Sequence, residues 1–140
     1  MRFYMALLLL FFMGCKKDKA PLGKEKPRAE LLTQTTWVLA GSGFDDNQNG
    51  LLDSVENATT ECQKDNSYLY NSNGTGVVND NQLSCGGAGR IDFYWQLINN
   101  DTEIKFDFQS MFVKELTKDK MILSPNLPWL TVPFIIVYKH

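Results

Sequence analysis

The chain has 140 residues, enough for one compact domain and too few for two ordinary ones. Hydrophobic residues make up 44% and charged residues 21%, so the chain can bury a core and does not read as disordered. A formal net charge of −2 leaves no basic surface for nucleic acid. The single histidine, His140, is the last residue, which speaks against His-dependent hydrolases and most zinc sites.

Taken in chain order, the first element is an address. Arg2 precedes an unbroken apolar run, Phe3–Met13, too short for a spanning helix but suited to the core of an export signal. The run ends in Phe12-Met13-Gly14-Cys15, which resembles the lipobox of bacterial lipoproteins. That resemblance implies a signal peptide over residues 1–14, cleaved before Cys15, and a diacylglyceryl group on the Cys15 thiol. The other reading is a plain signal peptide with an incidental cysteine.

Charge is divided unevenly after the signal. Cys15–Arg28 carries a net +4, whereas Ala29–His140 carries a net −7. A basic, Pro- and Gly-containing tether over residues 15–28 thus precedes an acidic domain over residues 29–140. The tether lysines either lie along anionic head groups, adding to a lipid anchor, or form a solubilising spacer. Cys15-Lys16-Lys17-Asp18 resembles the charged export signals of Bacteroidetes lipoproteins, which implies a cell-envelope, outer-membrane location. Cys62 and Cys85 remain, and in an exported domain two such cysteines most simply pair. The alternative is two free thiols; neither has a CxxC neighbour or a nearby histidine to suggest redox or zinc chemistry.

The domain itself reads as all-β. A short helix is expected near Pro27–Thr33. Period-2 alternation then recurs over Thr35–Ala40, Ser67–Asn71, Thr75–Asn79, Arg90–Ile98, Glu103–Phe108, Met111–Leu116, Lys120–Leu123 and Val132–Tyr138. Ile91, Phe93, Trp95 and Leu97 face one way and Asp92, Tyr94 and Gln96 the other. Turn residues such as Asn73-Gly74 and Asn99-Asn100-Asp101 separate the strands. Eight short antiparallel strands imply a sandwich or a barrel.

Leu31-Leu32-Thr33, Trp37, Cys62-Gln63-Lys64-Asp65-Asn66, Asn73-Gly74-Thr75-Gly76, Cys85 and Trp95-x-Leu97, in that order, resemble the lipocalin-like domains of Bacteroidetes lipoproteins. The likeness covers nearly all of Leu31–His140. It implies an eight-stranded antiparallel up-and-down barrel with the amino-terminal helix near its mouth. Trp37 looks like the tryptophan of the first lipocalin strand, although Thr35 stands where true lipocalins have glycine.

Three features bear on function. Asp45-Asp46-Asn47-Gln48-Asn49-Gly50-Leu51-Leu52-Asp53-Ser54-Val55-Glu56 matches the calcium loop D-x-[DN]-x-[DN]-G-x5-E. Asp45, Asn47, Asn49, Asp53 and Glu56 offer side-chain oxygens, Leu51 its carbonyl, and Gly50 the sharp bend. Only three of these donors are charged, so weak Ca²⁺ binding, on the order of 10⁻⁴–10⁻³ M, is expected. A polar turn is the plainer reading. Second, Trp37, Tyr68, Tyr70, Phe93, Trp95 and Phe106 either line a barrel cavity for a small apolar or amphipathic ligand or fill a closed core. Phe108, Trp129 and Phe134 enlarge this aromatic set. Third, the proline-rich segment Leu123–Pro133 is expected as an ordered loop packed on the barrel, with a partner edge or lid as alternatives. Catalysis is not expected. The domain has no internal His and no G-x-S-x-G, and carboxylate pairs such as Asp92/Asp107 more often face solvent. The rival to a ligand carrier is an interaction component of an envelope complex.

Overall fold

The computed structural model describes residues 26–81, 83, 85–87, 89–107 and 109–140. The expected signal peptide, Cys15, the tether up to Glu25, and Phe108 lie outside the described residues.

The domain is mostly β, with two short helices, α1 (Arg28–Thr33) and α2 (Glu61–Lys64). Its strands are β1 (Thr36–Phe44), β2 (Ser67–Tyr70), β3 (Thr75–Asn79), β4 (Arg90–Ile98), β5 (Glu103–Phe106), β6 (Gln109–Leu116), β7 (Lys120–Pro125) and β8 (Phe134–Lys139). Every strand pairs antiparallel with its sequence neighbours, and β8 pairs with β1, so the sheet closes into an eight-stranded barrel. Closure removes the unpaired edges that an open sheet would leave.

Alternation decides which side chains enter the barrel. In the register Trp37↔Tyr68↔Val78↔Ile91, partners across the strands share one face. Trp95↔Phe106 and Leu97↔Ile104↔Met111 continue that face on β4, β5 and β6. Register shifts between Leu39 and Gly41 and between Val113 and Glu115 mark bulges, which bend β1 and β6 as closure of a small barrel requires. The core consists of Leu32, Trp37, Leu39, Tyr70, Trp95, Ile104, Val113, Met121, Leu123 and Tyr138.

The two ends of the barrel differ. At one end, α1 lays Leu32 into the core, and its carbonyl accepts a 3.0 Å hydrogen bond from Trp37 Nε1. Arg28 reaches the β4–β5 turn and donates to the Asp101 carbonyl at 2.7 Å. The helix therefore plugs this end. The other end carries the long connections 45–66, 80–89 and 126–133. The resemblance placed the helix near the mouth; here it closes the opposite end, because the chain enters β1 beside the β4–β5 and β6–β7 turns.

Three further departures concern one strand end, one helix and one connection. Strand β1 runs on to Phe44, past the expected end at Ala40, because β8 pairs with it over Gly41–Phe44. Helix α2 was not expected; it forms one turn behind a capping box in which Gln63 Oε1 accepts from Thr60 N at 3.0 Å. The proline-rich connection does not pack fully on the barrel, since Trp129 is 73% exposed.

Candidate functional site

The end opposite α1 holds an open apolar cavity of about 200 Å³. It is lined by Tyr68 and Tyr70 of β2, Val78 of β3, Ile91 and Phe93 of β4, Phe106 of β5, Met111 of β6 and Tyr138 of β8. Ile91 shows where the opening lies. Its side chain belongs to the inward face, yet it is 53% exposed.

Four of the six aromatic residues expected to bind ligand line this cavity: Tyr68, Tyr70, Phe93 and Phe106. Trp37 and Trp95 do not. Trp37 is fully buried beneath α1, and Trp95 packs edge-on against Tyr70 at 5.6 Å between ring centroids, with its Nε1 donating to the Thr75 carbonyl at 2.9 Å. The two tryptophans form the floor of the barrel rather than the wall of its mouth. Val78, Ile91, Met111 and Tyr138 were not singled out as site residues, although the alternation that placed Phe93 inside also places Ile91 and Val78 there.

The cavity walls are rings held edge to face. Tyr70 meets Phe93 at 5.4 Å, Phe93 meets Phe106 at 5.7 Å, and Tyr68 meets Tyr138 at 4.9 Å. Such edge-to-face pairs are favoured by the ring quadrupoles. Gly76 makes this packing possible: a Cβ there would lie 2.2 Å from the Phe93 ring. Burial raises the phenol pKa of Tyr68, Tyr70 and Tyr138 above the usual 10.0, and the neighbouring phenols add to the rise for Tyr70 and Tyr138. All three are therefore neutral hydroxyls at physiological pH.

The mouth is stapled. Cys62, on α2, is bonded to Cys85 with Cα atoms 5.4 Å apart, which ties the 80–89 connection to the helix before β2. Asp65 reinforces the tie by accepting from the Leu83 backbone at 2.8 Å.

Beside the mouth, the loop 45–56 folds back on β1. Gly41 and Gly43 form its bed. A Cβ on Gly43 would lie 1.8 Å from the Glu56 carbonyl oxygen, and one on Gly41 would lie 2.8 Å from Leu52. Ala58 N donates to the Ser42 carbonyl at 2.8 Å, covering the stretch of β1 that β2 is too short to pair. Asp45 is 2% exposed, and its carboxylate accepts from Asn49 N at 3.0 Å and Gly50 N at 2.9 Å. Asn47 and Asn49 accept from the backbone two residues on, at 3.0 and 2.7 Å. Asp53 accepts from Asn47 Nδ2 at 2.8 Å, and Glu56 accepts from Asp53 N at 2.9 Å. Gly50 takes φ +79°, which a residue with a side chain rarely adopts.

The loop thus brings together the three carboxylates and two side-chain amides singled out in its sequence, with their oxygens accepting from the loop's own backbone and side-chain amides. Leu51 is exposed, with its amide held by Asn49. Among the described residues no three His, Cys, Asp or Glu side chains form a group of the kind that holds a metal ion.

Asp92 is bound to Arg90 at 2.8 Å on the outer face, and Asp107 accepts from Tyr94 N at 3.3 Å. No model of a known protein family matches the chain, and no curated protein does.

Proposed function

We propose that the protein is a lipid-anchored binding module of the cell envelope, in which a lipocalin-like up-and-down barrel holds a small apolar or amphipathic ligand in its mouth. The observation that carries this reading is the open cavity of about 200 Å³ walled by Tyr68, Tyr70, Phe93 and Phe106. A core that packed shut would have no accessible space at these rings. The protein acts without catalysis, and the lipobox-like Phe12-Met13-Gly14-Cys15 supports export and lipidation at Cys15. Native mass spectrometry of protein purified from its own host tests the carrier role. A non-covalent adduct lost on unfolding is expected; a bare polypeptide mass, together with no thermal shift from any small apolar probe, removes it.

The 45–56 loop belongs to this reading as a weak Ca²⁺ site that stiffens the rim. Asp45, Asn47, Asn49, Asp53, Glu56 and the Leu51 carbonyl would hold the ion. Calcium would supply no chemistry beyond cross-linking the loop. Calorimetric titration of chelator-treated protein out to millimolar Ca²⁺ is expected to give heat; no heat and no thermal shift end the assignment.

One observation favours an interaction role as the second reading. Trp129, 73% exposed, and Val55, 92% exposed, both lie on connections at the mouth end. In that case an envelope protein is the partner, and Trp129→Ala would abolish co-purification while leaving apolar probes bound.

A further inference from the structure

The walls of the cavity say more about its occupant than that it is apolar, and the identity of that occupant rests on the carrier reading above. Size comes first. An apolar protein cavity of about 150 Å³ accepts benzene. At about 200 Å³ this one has room for a single ring with a short substituent. Charge comes second. The lining holds no Lys, Arg, His, Asp or Glu. An ionised ligand would shed its water here with no counter-charge to replace it.

Polarity comes third. Among the described residues, the only polar side-chain atoms of the lining are the hydroxyls of Tyr68, Tyr70 and Tyr138. The phenol of Tyr68 is hydrogen-bonded to Asn66. Those of Tyr70 and Tyr138 make no hydrogen bond among the described residues, and both residues line the cavity. A phenol at an apolar site wants an acceptor, and no lining side chain offers one that is not itself a phenol.

We infer that the cavity takes an uncharged molecule of about one ring in size that carries an acceptor oxygen, which the Tyr70 and Tyr138 hydroxyls hold by hydrogen bonds. Phe93, Phe106 and Met111 grip its apolar body. Both donors are protonated at physiological pH, as an ordinary phenol is.

Three probes of one shape separate the elements of this inference: isopropylbenzene, acetophenone and benzoate. Each is titrated into the full-length chain in lipid nanodiscs at pH 7, reading the ¹³C-methyl resonance of Met111, assigned with Met111→Leu. Acetophenone is expected to bind about five- to tenfold more tightly than isopropylbenzene, the worth of one neutral hydrogen bond. Benzoate is expected to leave the resonance unmoved. In Tyr70→Phe/Tyr138→Phe the preference is expected to vanish or reverse, because the carbonyl is then buried without a donor; if the double variant does not fold, each single variant is expected to lose part of the preference. Equal binding of the neutral probes to the unaltered chain, tighter binding of benzoate, or a preference that survives loss of both hydroxyls would overturn the inference and leave the carrier reading standing. If none of the three probes moves Met111, the carrier reading itself fails.

Discussion

The plugged end and the mouth of this barrel are made from the same kinds of residue, yet they behave differently. Beneath α1, Trp37 is fully buried, Leu32 is 1% exposed, and the indole nitrogen is satisfied by the helix carbonyl. At the mouth, Ile91 is 53% exposed on the inward face, and it lines an open cavity with Tyr68, Phe93 and Phe106. Aromatic content therefore does not decide whether a barrel end is core or site. What decides it is whether another element supplies the last layer of contact. A helix does so at one end. At the other, the connections are stapled aside by Cys62–Cys85 and by the folding of 45–56 onto Gly41 and Gly43.

Substitution is the most direct way to break this contrast. Trp37→Ala is expected to cost about 3–5 kcal/mol, because a fully packed ring leaves a cavity, whereas Ile91→Ala is expected to cost under about 1 kcal/mol. Urea unfolding of the two variants measures the difference, and equal losses would erase the distinction between the ends. Loss of the staple ranks next. Cys62→Ser/Cys85→Ser is expected to cost about 2–4 kcal/mol in the same assay.

Gly76→Ala sharpens the comparison further. The new methyl must displace the Phe93 ring, so about 1–3 kcal/mol of stability and the binding of apolar probes are expected to fall together. Alkali supplies a smaller, graded effect. Tyr70 and Tyr138 have raised pKa values in the folded state, so their contribution is complete below about pH 10. As pH rises past 10, the unfolded phenols ionise while the folded ones do not. Stability then falls by up to about 1.4 kcal/mol per pH unit for each buried phenol. Tyrosinate absorbance followed with far-UV circular dichroism is expected to show these phenols ionising only as the fold is lost. The smallest effect belongs to the surface. Glu115→Gln breaks a half-exposed ion pair with Lys120 and is expected to change stability by less than about 1 kcal/mol.

Much of the barrel was legible from pattern alone. The bounds of β3 and β4 follow directly from alternation and from the Asn73-Gly74 turn, and Phe93 and Trp95 were placed on one face together. Helix α2 was missed because four residues carry no periodicity; Thr60 and Gln63, three apart, were its only signal. Gly41 and Gly43, which in the sequence only argue against a helix entering the 45–56 loop, serve as the bed for Leu52 and Glu56 in the fold. At the site, the aromatic residues were identifiable, but Trp37 and Trp95 were indistinguishable from Tyr70 and Phe93. Nothing local tells a ring under a helix from a ring at an opening.

The residue order by itself determined that eight short strands would present alternate apolar faces, that Cys62 and Cys85 would most simply pair, and that oxygen donors would crowd into one loop. Side-chain period and turn chemistry are local properties, and they survive without knowledge of neighbours. Only the tertiary structure decided that β8 closes on β1, that α1 plugs one end, and that an apolar cavity stays open at the other. Those outcomes depend on which surfaces meet across the barrel, and contacts between residues far apart in sequence leave no local periodic trace.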